Sequence, residues 1–583
     1  MKSFRPDWFE GELPPRSFRS IFKWGHPREY KHPNRRLYAE MKRVFRMTDD
    51  DFREKRKLGL GEVPETGHPS ALAATDVEAL VSLVGGPDNA RSDVYSRLAV
   101  SYGKTMGDLT RLRDGIVENL PDLVLHPRSR ADLRAVVDYC DAKRIPVYVY
   151  CGGSSVTRGT EALKGGVTLD TRVHLKRVLE LNETDGTVTV EAGLQGPELE
   201  RFLQNAPELL GAKERYTLGH FPQSFEYSGV GGWVVTRGAG QNSTYYGKIE
   251  DMVAGLDWVC PSCDLVTEPF PRRATGPDLD QLMIGSEGAY GVLYSATLKL
   301  RRFEAKATRR MAFVFRNFEG AMAAAREVMR GEFGMPSVFR LSDPEETDIA
   351  LKLYGVEGTP VDWGLSLLGY RRGERCLLVA SADGDRSSTR LIKRKIMGIA
   401  LRRGAFYATG FVEKAWEHGR FRDPYLRESL QDFGVMTDTL ECAVTWSRLE
   451  RVRAELRKAV HARPDAICMI HASHFYPQGC NLYAIFIARL DSLAEYKAYQ
   501  SSILDAVQRS GAALSHHHGI GKSFAPWLEG QVGKAAVDTF RALKKRFDPN
   551  NVMNPGGTLA LDLPDGERRF ERNFDAERAG KKG

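Results

Sequence analysis

The 583-residue sequence lacks several features that would place it in a specialised class of protein. It contains no run of about twenty apolar residues, so we expect no membrane-spanning helix. Its first twenty residues include basic groups but no apolar stretch of a secretory signal. Among its eight cysteines only Cys260 and Cys263 are closely spaced, and zinc would need further ligands, so we interpret this pair as a hairpin turn. These absences favour reduced thiols and a cytoplasmic protein.

Long clusters of one charge are also missing. The formal net charge is +8, and the basic residues are spread along the chain rather than gathered in an arm. We therefore expect no nucleic-acid partner. A mildly basic protein suits an anionic ligand or an anionic membrane surface. The length exceeds what one hydrophobic core supports, which predicts two or three domains.

Glycine is plentiful, and it is concentrated in particular loops. A strand at residues 146–150 (PVYVY) runs directly into the loop at residues 151–159 (CGGSSVTRG). A strand followed by a glycine- and serine-rich loop can point backbone N–H groups at a phosphate. The spacing matches neither the G-x-G-x-x-G fingerprint nor a Walker loop. Taken alone, the loop is equally well an ordinary turn between strands.

Further loops of small residues follow at residues 221–240, 245–253 and 284–292. Any one of them is explained by a tight turn. Several in one domain indicate a long ligand that lies against backbone, such as a dinucleotide.

Together these segments resemble the FAD-binding domain of the vanillyl-alcohol oxidase-type flavoproteins. The resemblance implies that the first loop holds the FAD pyrophosphate, with Cys151 standing where the family usually has glycine. Many relatives attach FAD through a histidine near this loop, but none occurs between Val147 and Arg172, so we expect non-covalent FAD. The cofactor residues implied are Val149, Tyr150, Cys151, Gly152, Gly153, Ser154, Ser155, Gln223, Ser224, Phe225, Glu226, Tyr227, Ser228, Gly229, Thr236, Arg237, Gly238, Ala239, Glu287, Gly288, Ala289, Tyr290, Gly291 and Val292.

Beyond Arg302 the glycine loops thin out, and strands alternate with helices. We predict an α+β fold with a two-lobed FAD-binding domain, an α+β substrate cap domain and helical terminal segments. The predicted division is an N-terminal arm at 1–92, the FAD-binding domain at 93–303, the cap at 304–510, and a segment at 511–583 that returns to the flavin domain. We expect no catalytic residue from the arm and disorder in the lysine-rich C-terminal tail.

Residues 515–522 (SHHHGIGK) bring three groups that titrate near neutral pH into one turn. Metal-dependent 2-hydroxy acid dehydrogenases of the same superfamily carry G-D-G-N-x-H and E-H-G-I-G at the equivalent points. Here residues 477–483 read PQGCNLY, which ends in Tyr483, and the carboxylate position is His517. A site without that carboxylate and one imidazole is a poor host for a hard divalent cation, so we predict no metal.

The histidine turn instead resembles the alkyldihydroxyacetonephosphate synthase family of ether-lipid flavoenzymes. The similarity runs from about Arg91 to Gly556 and includes residues 230–237 (VGGWVVTR), 247–251 (GKIED) and 476–479 (YPQG). It implies exchange of the acyl chain of acyl-dihydroxyacetone phosphate for a fatty alcohol, through a flavin N5 adduct and without net redox change. We also expect a homodimer and peripheral contact with membranes through the basic arm.

The resemblance also assigns roles to individual residues. It implies Tyr483, His516, His517 and His518 as catalytic residues, with the histidines assisting a tyrosine that ordinarily titrates near pH ~10. It implies Arg427, Arg340 and His474 as substrate-binding residues, and Arg422 competes with Arg427 for its role. If the resemblance is set aside, we interpret Tyr483 as an ordinary aromatic residue of a strand, Arg427 as a solvated helix residue and His474 as a core histidine.

Two other functions remain open at this point. One is an FAD-dependent oxidase or dehydrogenase of a 2-hydroxy acid or another hydroxylated substrate. The other is a non-catalytic protein that binds flavin or lipid phosphate. The joint presence of Tyr483, Arg427 and the three histidines argues against a decayed site.

Overall fold

A computed structural model describes residues 13–564 together with residues 567 and 568. The start of the N-terminal arm and the lysine-rich tail, for which we expected disorder, lie outside these residues. In the described part of the chain the first helices are α1 (Phe18–Phe22), α2 (Arg35–Val44), α3 (Ala74–Leu83), α4 (Val94–Ala99) and α5 (Met106–Arg113). Helix α1 packs on α5, whereas α2 packs on the C-terminal half of the chain.

A small, mainly parallel sheet opens the next region. Its strands are β1 (Ala90–Arg91), β2 (Leu123–Leu125), β3 (Val147–Tyr150) and β4 (Val167–Asp170), in the order β1-β2-β4-β3. Helix α6 (Arg130–Lys143) lies in the same core and begins after Ser129, whose side chain accepts a hydrogen bond from the N–H of Asp132. The apolar, β-branched strands are buried, as parallel strands require. The loop after β3 therefore starts at the carboxyl edge of this sheet.

An antiparallel sheet completes the glycine-rich half. Its order is β5-β6-β10-β8-β9, and the pair β7-β11 lies apart. The turn between β8 and β9 brings Cys260 opposite Cys263, which confirms the predicted hairpin. The strands are β5 (Val178–Asn182), β6 (Thr187–Glu191), β7 (Tyr216–Thr217), β8 (Val253–Cys260), β9 (Cys263–Val266), β10 (Val292–Lys299) and β11 (Arg301–Arg302). The helices are α7 (Gly196–Gln204), α8 (Ala206–Leu210), α9 (Val230–Thr236), α10 (Ser243–Tyr246), α11 (Ile249–Met252) and α12 (Leu279–Met283).

The second half of the chain is built on an antiparallel sheet with the order β15-β12-β14-β13-β17-β18-β16. Its strands are β12 (Arg309–Phe315), β13 (Val338–Ser342), β14 (Cys376–Ala382), β15 (Phe406–Tyr407), β16 (Val435–Thr445), β17 (Ala466–Tyr476) and β18 (Gly479–Arg489). Its helices are α13 (Phe318–Met329), α14 (Pro344–Leu353), α15 (Pro360–Leu367), α16 (Arg386–Arg402), α17 (Thr409–Gly419), α18 (Tyr425–Gln431), α19 (Leu449–Val460) and α20 (Leu493–Ser510).

The two faces of this sheet differ in chemistry because side chains alternate along each strand. One face carries Leu440, Ile470 and Leu482 into the apolar core beneath α13, α16, α19 and α20. Directly paired positions on the other face are Glu441 with Tyr483 and Tyr483 with His471. A row of polar side chains therefore crosses three neighbouring strands.

The last described helices are α21 (Ala525–Val532) and α22 (Lys534–Phe547). After them the chain returns to the first sheet, where Met553 lies beside Val147 and the N–H of Asn554 donates to the Val147 carbonyl at 2.8 Å. The α+β, two-lobed fold is as predicted, whereas the exact domain boundaries stay a prediction. Among the described helices, none has both the length and the apolar character needed to cross a bilayer.

Candidate active site

A long cleft separates the glycine-rich loops from the polar face of the cap sheet. Its cavity volume is about 200 Å³. The cleft is lined by loop residues on one side and by Arg427, Tyr483, His517 and His518 on the other. The predicted cofactor residues that line it are Val149, Cys151, Gly152, Gly153, Ser154, Ser155, Gln223, Ser224, Gly229, Thr236, Gly238, Ala239, Glu287, Gly288 and Gly291.

The other predicted cofactor residues do not line the cleft; they are Tyr150, Phe225, Glu226, Tyr227, Ser228, Arg237, Ala289, Tyr290 and Val292. Several support the loops from behind. The Ser228 hydroxyl accepts a hydrogen bond from Trp233 Nε1 at 2.8 Å, and Arg237 bonds to Gln281. The Tyr150 ring lies 4.6 Å from the Arg172 guanidinium. For these residues the structure gives a positioning role.

The first loop has the geometry of a phosphate cradle. In the described part of the chain, the backbone N–H groups of Gly152, Gly153 and Ser154 donate to no protein acceptor. Gly153 has φ 64°, and a Cβ there would lie 2.0 Å from the Tyr150 hydroxyl. A Cβ at Gly152 would lie 2.3 Å from the Tyr227 carbonyl oxygen. Free donors on a backbone that excludes side chains fit the pyrophosphate of FAD.

Glu287 ties the C-terminal segment to this cradle. Its backbone has φ 51°, and its carboxylate accepts hydrogen bonds from the N–H groups of Ile520 at 2.6 Å and Gly521 at 2.7 Å. Burial raises the pKa of Glu287 to about 7, although these two bonds act in the opposite direction. Lys522 beyond it donates to Asn554 at 2.8 Å, and burial lowers the pKa of Lys522 to about 8.

The histidine turn is held by a single buried carboxylate on β16, that of Glu441. Its two oxygens accept hydrogen bonds from Ser515 Oγ at 2.7 Å and from the N–H groups of His516 at 2.7 Å, His517 at 3.0 Å and His518 at 3.0 Å. Sequence reasoning missed this residue. Glu441 alternates with apolar residues along β16, and this pattern shows only that its side chain faces away from the apolar core. The four donors to its carboxylate could not be predicted because they come from a distant segment of the chain.

All three histidine side chains are shielded from solvent, which disfavours their charged form. Burial holds the pKa values of His516 and His517 well below the ordinary value, with smaller contributions from neighbouring imidazoles and Lys248. Burial also lowers the pKa of His518, although Glu441 opposes this shift. The histidines are therefore neutral imidazoles near pH 7, able to accept a proton.

Tyr483 lies in the middle of the polar sheet face. Its ring stacks on His471 with centroids 4.9 Å apart and meets His518 edge-on at 5.6 Å. Burial raises the pKa of Tyr483 to about 12, while a hydrogen bond with Thr439 and the charge of Arg427 act in the opposite direction. We expected the histidines to make this tyrosine a better base. The structure instead keeps its phenol protonated, so it is a proton donor in the resting site.

Arg340 acts behind this tyrosine and does not line the cleft. Its guanidinium donates to Glu346 at 2.5 Å and lies 3.2 Å from Nδ1 of His471. Glu346 also lies 3.1 Å from that nitrogen. The group therefore fixes the imidazole on which Tyr483 stacks, and substrate binding by Arg340 stays a prediction.

Arg427 does line the cleft, and it is firmly anchored. It donates to the carbonyl oxygens of Lys104 at 2.9 Å and Thr437 at 3.2 Å, and it lies 3.4 Å from Asp438 Oδ1. Its rival Arg422 pairs with Glu29 at the surface and does not reach the cleft. The geometry therefore favours Arg427 for an anionic substrate group.

His474 and His516 lie just behind the cleft wall. A bulge in β17 gives His474 φ 47° and turns its side chain toward the histidine turn. Ser243 Oγ lies 2.6 Å from its Nδ1. The Tyr476 hydroxyl lies 2.7 Å from Nε2 of His516.

The cleft residues that were not predicted include Trp24, Thr439 and Asn554. Trp24 brings the arm to the cleft wall, where its ring packs edge-on against Tyr227 with the centroids 5.3 Å apart. The expectation that the arm supplies no catalytic residue stays a prediction. The Asn-Pro-Gly sequence at 554–556 was a visible signal for Asn554, since such turns present backbone and amide groups. No comparable sequence signal marks Thr439.

Two family models match long segments of the chain, and several curated relatives match most of its length. Residues 121–267 match the "FAD binding domain" model, and residues 304–558 match "FAD linked oxidases, C-terminal domain". The chain is 28% identical over 489 residues to the alkyldihydroxyacetonephosphate synthase of Dictyostelium discoideum, covering 80% of this chain and 78% of that protein. It is 27% identical over 501 residues to the synthase of Trypanosoma brucei brucei, covering 81% and 78%.

A solved structure of an alkyldihydroxyacetonephosphate synthase superposes with a TM-score of 0.78 at 24% identity. The superposition covers 92% of this chain and 98% of that one. At this identity the likeness establishes the fold, which is that of the FAD-binding proteins predicted from the glycine-rich loops.

Proposed function

The chain is an FAD-binding protein of the vanillyl-alcohol oxidase type, related to the alkyldihydroxyacetonephosphate synthases, and we propose that it catalyses the synthase reaction. In this reaction a fatty alcohol replaces the acyl chain of acyl-dihydroxyacetone phosphate. The carbon–oxygen bond to the fatty acid breaks, a carbon–oxygen bond to the alcohol forms, and no electrons are gained or lost overall. The observation that carries the proposal is the position of Tyr483, His517 and His518 on the cap side of the flavin cleft, with His516 just behind its wall.

FAD fits the residues present, since the free N–H groups of the first loop and the side-chain-free backbone suit its pyrophosphate. When bound, FAD supplies the atom that retains the dihydroxyacetone phosphate part while one chain leaves and the other arrives. We propose that it is held without a covalent bond, because the loop that meets the pyrophosphate contains no histidine.

The protein's own groups account for the protons. A neutral imidazole of His517 or His518 can accept the proton that the alcohol oxygen loses. The phenol of Tyr483 can donate a proton or a hydrogen bond to the departing carboxylate. Arg427 adds a fixed cation beside them, suited to the phosphate or the carboxylate. None of these steps requires a metal.

The test is an exchange assay with purified holoprotein, acyl-dihydroxyacetone phosphate and labelled fatty alcohol. We expect labelled ether product with the flavin oxidised at the end. Tyr483→Phe should retain FAD absorbance and lose about 10²- to 10⁴-fold in kcat, the range of general acid–base catalysis. Full activity in Tyr483→Phe would remove this residue from the mechanism. Flavin bleaching by a 2-hydroxy acid, without ether formation, would overturn the synthase proposal in favour of a dehydrogenase.

We further propose peripheral contact with lipid, to which a surface of the cap contributes besides the basic arm. The apolar cap face is formed by exposed side chains on α15, on β15 and at the start of α17. Trp363 and Leu367 lie one helical turn apart and are 61% and 89% exposed. Phe406 is linked to α15 through Tyr370, whose ring centroid lies 6.1 Å from its own. The members of the face are Val361, Trp363, Leu367, Leu368, Phe406 and Phe411.

Charge complementarity supports an anionic lipid surface as the occupant of the apolar cap face. Exposed Arg316, Arg371 and Lys414 adjoin the face, and the long helix α16 beside β15 is strongly basic. Apolar side chains surrounded by basic ones are typical of surfaces that dock on anionic bilayers. Such docking would bring long-chain substrates to the cleft.

Vesicle flotation tests this docking. The holoprotein should float with phosphatidylglycerol vesicles, and Leu367→Glu/Phe411→Glu should reduce the floated fraction at least about tenfold. Phe270→Glu is the matched control, because Phe270 is 59% exposed on the flavin half. Equal flotation of the double variant would refute the docking surface. A wild-type dimer that becomes a monomer in the double variant, with no flotation, would assign the face to a second copy.

Two further proposals concern the cellular compartment and the oligomeric state. We propose a reducing compartment such as the cytoplasm, supported by eight free cysteines, of which only Cys263 is partly exposed. Fractionation of native cells tests this. We also propose a homodimer, as the resemblance implies, and light scattering of the holoprotein tests that assignment.

A further inference from the structure

Three buried histidines meet behind the wall of the cleft. His474 comes from the bulge in β17, and His516 and His517 come from the turn held by Glu441. One ring nitrogen from each lies within 4.8 Å of the others. The closest pair is Nδ1 of His516 and Nδ1 of His517, which are 3.0 Å apart.

The outer nitrogens of two of these rings already have partners. Nδ1 of His474 lies 2.6 Å from Ser243 Oγ, and Nε2 of His516 lies 2.7 Å from the Tyr476 hydroxyl. Each hydroxyl can accept the N–H of its ring and so fix the tautomer. Nε2 of His474 then carries a lone pair, and Nδ1 of His516 accepts a hydrogen bond from the Nδ1–H of His517, a proton that zinc would replace. Metal-binding histidines in proteins are oriented in this way.

The donor set and its spacing suit a borderline metal ion. In a tetrahedral zinc site with Zn–N bonds of about 2.0–2.1 Å, neighbouring nitrogens lie about 3.3 Å apart. The 3.0 Å pair already approaches that separation, and the third nitrogen needs only a small ring movement. We propose that His474, His516 and His517 form a three-histidine site for zinc. The fourth position faces the cleft, because His517 lines it.

The charges around the cluster are compatible with a dication. The Glu441 carboxylate lies 3.5 Å from Nδ1 of His517 and supplies a buried negative charge. Lys248 donates to the His516 carbonyl at 2.7 Å, and its charge is paired with Glu250 at 3.0 Å. This site differs from the carboxylate-containing one that the sequence excludes, since it uses His474 and nitrogen ligands throughout.

Zinc at this site would occupy the lone pairs of His516 and His517 and so oppose their role as proton acceptors. Its chemistry in this position is therefore inhibitory to the proposed exchange. The metal site itself stands on geometry alone, and binding can be measured whether or not the chain catalyses that exchange.

The experiment uses holoprotein stripped with chelator, reloaded with zinc, desalted and analysed for zinc by mass spectrometry. We expect one zinc per chain in the wild type. His516→Gln and His474→Asn should each lose at least nine-tenths of it; asparagine tolerates the left-handed backbone at that position. His518→Gln is the matched control, since it changes the same turn outside the cluster and should keep its zinc.

Flavin absorbance shows that each variant is folded, so that loss of zinc reports on the ligands. A second measurement loads the stripped protein with cobalt(II) instead of zinc. Tetrahedral cobalt with nitrogen ligands absorbs visible light at wavelengths beyond the flavin bands. Failure of the wild type to retain zinc would overturn the proposal. Retention of zinc by both His516→Gln and His474→Asn would overturn it as well.

Discussion

Glu441→Gln tests how the histidine turn is held. The native carboxylate accepts four hydrogen bonds, three to Oε1 and one, from the N–H of His516, to Oε2. Glutamine keeps the shape but turns one oxygen into an NH₂ donor. The best orientation of the glutamine amide keeps the three hydrogen bonds to Oε1. The new NH₂ group then faces the N–H of His516, so that two donors meet without an acceptor.

The cost follows from these contacts. A buried N–H left without an acceptor costs about 1–3 kcal/mol. The three remaining bonds lose the assistance of the charge, which roughly halves their strength, or about 2 kcal/mol in total. We therefore expect the local free energy of opening at residues 516–518 to fall by about 3–5 kcal/mol. At 1.4 kcal/mol per factor of ten, this corresponds to at least about 10²-fold faster amide exchange.

Hydrogen exchange read by mass spectrometry measures this change directly, and the exchange assay reports its effect on catalysis. Displacement of the imidazoles by about 1 Å should lower kcat by about 10²-fold. Glu200→Gln is a matched control, because Glu200 is a buried carboxylate that accepts N–H bonds from Leu218 and Gly219, far from the turn. Unchanged amide exchange at residues 516–518 in Glu441→Gln would refute the reasoning.

Three further predictions concern the cofactor loop, the substrate cation and a buried acid. Gly153→Ala should weaken FAD binding at least about tenfold because its Cβ meets Tyr150. Gly186→Ala is the control, since Gly186 has the same kind of backbone (φ 66°) in open space and its variant should bind FAD normally. Fluorescence titration with FAD compares the two variants. Arg427→Lys should raise KM about 10- to 100-fold, and equal kinetics of Arg422→Lys and Arg427→Lys would contradict the assignment. Because the folded pKa of Glu287 is raised from 4.5 to about 7, its contribution to stability is present below about pH 4.5 and falls by roughly 3 kcal/mol by pH 7. Glu287→Gln should flatten that part of the curve of melting temperature against pH, and an unchanged slope would count against the shift.

Part of the fold could be predicted from the sequence because local patterns determine it. The strand 147–150 followed by a glycine- and serine-rich loop predicts both the sheet edge and the backbone cradle, and the structure contains both. The hairpin at Cys260 and Cys263 was also readable from a short segment. Such features need no knowledge of distant contacts, since turn chemistry and strand period act within a few residues.

The remainder depends on contacts between distant segments. Glu441 matters because residues 515–518 dock on it, and Arg340 matters because His471 lies between it and Tyr483. Trp24 reaches the cleft from an arm whose sequence shows no catalytic pattern. Family resemblance identified Arg340 but not its contact with His471, and it identified neither Glu441 nor Trp24 as part of the site.

The separation of acidities in the cleft decides which way protons move. Burial raises the pKa of Tyr483 to about 12 and lowers the pKa values of the imidazoles beside it. A proton therefore stays on the phenol rather than moving to such an imidazole. The tyrosine is therefore not the base in the resting site, and the neutral imidazoles of His517 and His518 are the groups on the cleft wall that can accept a proton from the alcohol. Negative charge that develops on the leaving carboxylate is stabilised by a hydrogen bond from the protonated phenol of Tyr483. One buried site thus contains both an acid and a base, because burial raises the pKa of the phenol and lowers the pKa of the imidazoles.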